Sequence, residues 1–81
     1  MDFKIGTEVQ WTSQAGGSSK TKVGVIAQVV PANDYPDRNR FLRLYKDSGV
    51  GRHRDHVSFV VLVKGKPYWP VAKLLTPVLP S

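Results

Sequence analysis

The stretch VSFVVLV, residues 57–63, commits this chain to β structure. Four of its residues are β-branched valines, and seven residues is a strand's length rather than a helix's. Charge bounds it on one side (RHRDH, 52–56) and turn chemistry on the other (KGKP, 64–67). Moving upstream, VGVIAQVV at 23–30 reads as a second strand. Val23, Val25, Ala27 and Val29 share one face; Gly24, Ile26, Gln28 and Val30 share the other. Gly24 leaves a gap in its face, which implies a bulge or a close backbone approach. Further upstream, IGTEVQWT at 5–12 alternates Val9 and Trp11 with Glu8, Gln10 and Thr12, the period of a half-buried strand. Downstream, KGKPYW turns into a fourth strand near Tyr68 and Trp69, and Pro70 marks an edge or a strand end. VAKLL, 71–75, fits one tight helical turn, and TPVLP fits a last short edge strand.

Two connections stand out. SQAGGSSKTK, 13–22, is dominated by Gly, Ser and Thr and reads as a flexible hairpin loop. Residues 32–56 form a long Arg-rich connection that opens on turn chemistry, PANDYPDRN, and contains FLRLY at 41–45, either a short strand or a turn of helix. Residues 13–20 and 32–40 are expected to be the most mobile internal segments, since Gly, Ser, Pro and Asn give the backbone few packed anchors. The expected fold is all-β: a small barrel of about five short strands with one long irregular insertion, a single domain over 1–81. Val9, Trp11, Val25, Ile26, Val29, Phe59, Val61, Val63 and Leu74 are its expected core.

Composition narrows the function classes. An 81-residue chain has little room for an enclosed substrate pocket. It has no cysteine, so it has neither disulfides nor a thiolate metal site, which fits a reducing, cytoplasmic setting. The N-terminus lacks the apolar region of a signal peptide, and no apolar run approaches the roughly 18 residues of a membrane span. The net charge is +6, from 12 Lys and Arg against 6 Asp and Glu, which points to an anionic partner, nucleic acid being the commonest. All five arginines fall between Arg38 and Arg54, a window with Lys46 and one acid, Asp47.

The residues also carry a resemblance. FKIGTEVQWTSQ, VGVIAQVV, HVSFVVLV and the closing YWPVAKLL resemble a small SH3-like or Tudor-like barrel, similar to the hypervirulence-associated Tudor-like family and, more loosely, to KOW modules. Phe3, Lys4, Gly6, Val9 and Trp11 match that family's opening strand, Gly24 and Ile26 approximate its second element, and Leu74 and Leu75 match the short helical turn before the last strand. The chain is also similar to small uncharacterised proteins of phages and prophages. The resemblance implies an SH3-like fold, and the Arg-rich insertion departs from the Tudor-like pattern.

His53 and His56 have HxxH spacing, with Asp55 between them, but zinc needs three or four ligands and two arginines flank the pair. No metal or other cofactor is expected. HRD at 53–55 lacks the Gly-rich loop and the strand lysine of a kinase. Asp55, His56 and Ser58 lack an orienting motif, and GGSSKTK at 16–22 is followed by a strand, whereas a phosphate-binding P-loop needs a helix. The chain therefore reads as non-enzymatic. Arginine's planar fork suits phosphate, so Arg38, Arg40, Arg43, Arg52 and Arg54, with Lys20 and Lys22, are the expected nucleic-acid contacts. Tyr45, Tyr68 and Trp69 are candidate stacking or partner-contact rings; of the adjacent pair, one should enter the core and the other face outward. The net positive charge disfavours a cage for a cationic ligand. The expected function is a small basic module contacting the nucleic-acid phosphate backbone, as a monomer or weak dimer. The alternative is a protein-interaction module, such as a phage product that binds a host factor.

Overall fold

A computed structural model describes residues 3–15, 17–47 and 49–78, with the side chains of 14, 15 and 47 excepted. Gly16, Ser48 and the last residues of the TPVLP segment lie outside the described residues. The strands are β1 (Glu8–Ala15), β2 (Ser18–Val30), β3 (Ser58–Val63), β4 (Lys66–Tyr68) and β5 (Thr76–Pro77). A short helix, α1 (Leu42–Asp47), lies in the long connection, and a single 3₁₀ turn, Ala72–Leu74, precedes β5. All pairings are antiparallel and the sheet order is β4-β3-β2-β1-β5. This is the small all-β, barrel-like architecture expected, with the long irregular insertion between β2 and β3. Among the described residues no helix is long and apolar enough to cross a membrane.

The Gly- and Ser-rich segment 13–22 departs from its expectation. It is not a long loop: β1 and β2 stay paired without a register break out to Ala15 opposite Ser18. Thr12 and Thr21 sit directly opposite each other, their hydroxyls 3.4 Å apart. Polar β-branched residues sustain a ladder whose outer end has no core to face.

β2 carries the fold's decisive irregularity. Ile26 pairs with Val61 but Gln28 pairs with Val60, so Ala27 is a bulged residue. One inserted residue moves everything after it to the opposite face. Ile26 therefore joins a first core cluster with Phe3, Val9, Trp11, Phe59, Val61 and Leu75, while Ala27 and Val30 join a second with Phe41 and Val60. Val29, expected inside, is 38% exposed, and Val25 is 41% exposed. Leu74 is also a correction: the 3₁₀ turn leaves it 48% exposed, and the extended residue after it, Leu75, fills the core instead. Val63 is half-buried against the first cluster, and Val9, Trp11, Ile26, Phe59 and Val61 are buried as expected.

β3 is buried on both faces. Phe59 and Val61 look into the first cluster; Val60 and the half-buried Leu62 look into the second, with Phe41 and Leu44 from the α1 region. At Gly24, β2 lies too close to β3 for a side chain. A Cβ there would collide with the Leu62 carbonyl oxygen and lie 2.7 and 2.8 Å from methyls of Val61 and Val63. The β3–β4 turn is a two-residue hairpin, Lys64 and Gly65, both with positive φ, as a primed turn requires.

Candidate basic cleft

The long connection is pinned to the sheet at several points. Asp37 N–H donates to Gln28 Oε1 at 2.8 Å, and the Asp37 carboxylate accepts from the backbone of Asn39 and Arg40 at 2.9 and 3.2 Å. Pro36 is buried, and the Tyr45 hydroxyl donates to its carbonyl at 2.6 Å. Phe41 then buries itself in the second cluster, which sets α1 against the β3–β4 hairpin. FLRLY is thus a helical turn.

Arg54 is the largest of these anchors. Its guanidinium donates to the carbonyls of Pro70 and Trp69, each at 2.7 Å, and lies 4.0 Å from the centroid of the Trp69 ring. Its own carbonyl accepts from Asn33 N–H at 2.6 Å. Partial burial lowers its pKa. Trp69, held beneath it, donates its indole N–H to the fully buried Ser58 hydroxyl at 2.8 Å. Arg54 and Trp69 are therefore both engaged in holding structure, Arg54 on backbone carbonyls and Trp69 on Ser58. Tyr68 faces the first cluster instead, meeting Trp11 edge-on at 5.9 Å. The adjacent aromatics do point to opposite faces, and each is half-buried against one of the two core clusters.

Tyr45 is likewise half-buried and tied down. Burial raises its phenol pKa, while the neighbouring Arg38 acts to lower it. A phenol whose folded pKa is raised stabilises the fold fully below its unfolded pKa, and that contribution is lost as pH rises through the folded value. In pH-dependent melts above about pH 10, wild type should lose stability faster than Tyr45→Phe, which cannot ionise. Parallel profiles would contradict a buried, hydrogen-bonded phenol.

The remaining cations are distributed unevenly. Arg43, on α1, lines a cleft of about 280 Å³ together with Leu44, Arg54, Lys66, Pro67 and Trp69. This falls just below the range of small-molecule pockets, roughly 300–1,000 Å³. A shallower depression beside it is lined by Arg40, Phe41, Arg43 and Pro67. Among the described side chains, which do not include that of Asp47, no acidic residue lines either. Arg40 lies over the Phe41 ring at 4.9 Å and donates to the Ala27 carbonyl at 3.3 Å. Arg38 sits 5.5 Å from the Tyr45 ring. Lys22 and Lys66 approach the Tyr68 ring from β2 and β4 at 5.2 and 5.4 Å. Arg52 and Lys20 are exposed and line neither depression.

The fold thus brings Arg43 and Arg54 together with a residue the sequence reading passed over, Lys66, while Arg40 lines only the adjoining depression and Lys22 lines neither, meeting Lys66 at the Tyr68 ring. The signal for Lys66 was present: a lysine flanking a tight Gly turn, on a strand with an edge position. The charged run 52–56 resolves differently from a site. His53 meets the Tyr35 ring edge-on at 5.9 Å, and Asp55 pairs with His56 at 3.1 Å, a contact that lowers the Asp55 pKa. Ser58 is buried against Trp69, apart from that exposed pair. No family model matches the chain, and no curated protein or solved structure is significantly similar to it.

Proposed function

We propose that this protein is a non-enzymatic, SH3-like or Tudor-like module that contacts the phosphate backbone of nucleic acid through the cleft between α1 and β4. The observation that carries the reading is the convergence of Arg43, Arg54 and Lys66 on one depression, with no acidic residue among its described lining. Clustered cations on one side of a small basic domain are the electrostatic footprint of nucleic-acid binding. Arg54 is spent on backbone carbonyls, so Arg43 and Lys66 are the working contacts, with Lys22 beside them and Arg40 in the adjoining depression. Lack of cysteine suits a cytoplasmic setting.

The test is fluorescence anisotropy of labelled DNA and RNA, single-stranded and duplex, between about 50 and 200 mM salt. Affinity should fall steeply with salt. Arg43→Ala combined with Lys66→Ala should weaken binding about tenfold or more and flatten the logarithmic salt slope by about two. Absence of binding to every oligonucleotide at low salt rejects the reading. It would promote a protein partner, which one observation favours: an open apolar cleft lined by Trp11, Pro70, Val71 and Leu74, the last two exposed.

A further inference from the structure

We infer that the β4 edge takes a single unpaired nucleic-acid strand in preference to a duplex, with the Tyr68 ring as the platform on which one base stacks. This rests on the phosphate-binding reading above and narrows its ligand. Tyr68 is half-buried rather than sealed: the first core cluster and the edge-on contact with Trp11 hold the ring in place. The groups brought toward it are the ammonium tips of Lys22 and Lys66, each more than 5 Å from its centroid. Such tips sit on flexible four-carbon stems and can swing aside to a phosphate, leaving the ring to a base. Two lysines on different strands bracketing one anchored aromatic is the combination that sequence-tolerant single-strand binding uses: charge for the backbone and a π-face for the base.

The alternative, a duplex, fits poorly. α1 is only six residues long and is held against the sheet through Phe41 and Leu44, so it is not a free helix to enter a major groove. The cleft beside β4 is small and its cations come from both walls, Arg43 on α1 and Lys66 on the strand. A flexible single strand can thread such an edge and turn a base inward. A duplex keeps its bases stacked within and presents phosphates on a convex cylinder. Both edge strands also carry proline, Pro67 on β4 and Pro77 on β5, which removes a ladder donor and disfavours strand addition there.

The experiment compares 12-nucleotide single-stranded DNA, single-stranded RNA and the corresponding DNA duplex by anisotropy at low salt, with wild type, Tyr68→Phe and Tyr68→Leu. Leucine keeps an apolar contact with Trp11 but has no ring, and circular dichroism checks that it folds. Wild type should bind a single strand at least about tenfold tighter than the duplex. Tyr68→Leu should lose about 5- to 150-fold on single strands, the range of one stacked base, and little on the duplex, while Tyr68→Phe stays near wild type. The DNA and RNA arms then show whether the 2′-hydroxyl contributes. Equal or tighter duplex binding, or a folded Tyr68→Leu that binds single strands like wild type, overturns the inference and leaves the phosphate reading intact. Failure of every oligonucleotide to bind overturns both.

Discussion

Arg54→Ala should destabilise the fold by about 2–3 kcal/mol and lower the melting temperature by about 10–20 °C. Two charge-assisted hydrogen bonds to the carbonyls of Trp69 and Pro70 disappear, together with a stacked cation over the indole. Each hydrogen bond to a charged group contributes about 1.5–3 kcal/mol, and an exposed cation–π contact about 0.5–1 kcal/mol. The guanidinium is only partly buried, and water screens it, so the net effect falls well below the sum. Arg54→Lys should recover little, because a single ammonium nitrogen lacks the planar fork whose two nitrogens reach the two carbonyls while the guanidinium lies against the ring. Thermal melts followed by far-ultraviolet circular dichroism measure this. An Arg54→Ala protein within about 0.5 kcal/mol of wild type would return Arg54 to the list of free cations.

Gly24→Val should prevent folding, and Gly24→Ala should cost about 3 kcal/mol or more. The first atom a Cβ meets is the Leu62 carbonyl oxygen, part of the β3 backbone. Methyls of Val61 and Val63 close the other sides at 2.7 and 2.8 Å. A flexible side chain could yield, but a backbone carbonyl moves only if β2 and β3 separate, and these strands carry both core clusters. Val23→Thr, one residue away and 43% exposed, is the control and should stay within about 0.5 kcal/mol. A Gly24→Ala variant as stable as that control would mean the strands are not so close.

Gly24 and Arg54 show how far the sequence could be read. A glycine inside an apolar strand announced a bulge or a close backbone approach, and the structure shows the approach at Gly24 and the bulge three residues on. Arg54 gave the opposite lesson. Its place in a basic run resembled its four companions', and nothing local distinguished an arginine that ties a loop to Pro70 and Trp69 from one free to meet phosphate. Lys66 was equally hard to place, because its neighbours across the cleft, Arg43 and Arg54, lie 23 and 12 residues away in sequence.

What the sequence determined by itself is local. The alternation of 8–12, the valine-rich run 57–63, the Lys-Gly turn at 64–65, the helical turn near 71–75 and the short last strand are all set by residue type and period two, and all stand in the structure. The tertiary structure decided which face each strand presents. The bulge at Ala27 reverses the faces of β2 midway, so Val30 is buried and Val29 is not. Phe41 and Leu44 cover the second face of β3, so Val60 is as buried as Val61. Val60 had a signal, since an unbroken apolar run is the mark of a strand covered on both sides. The bulge had none of comparable strength. A bulge's position depends on which register lets two strands bury the most apolar surface together, and that choice involves residues some 30 positions apart.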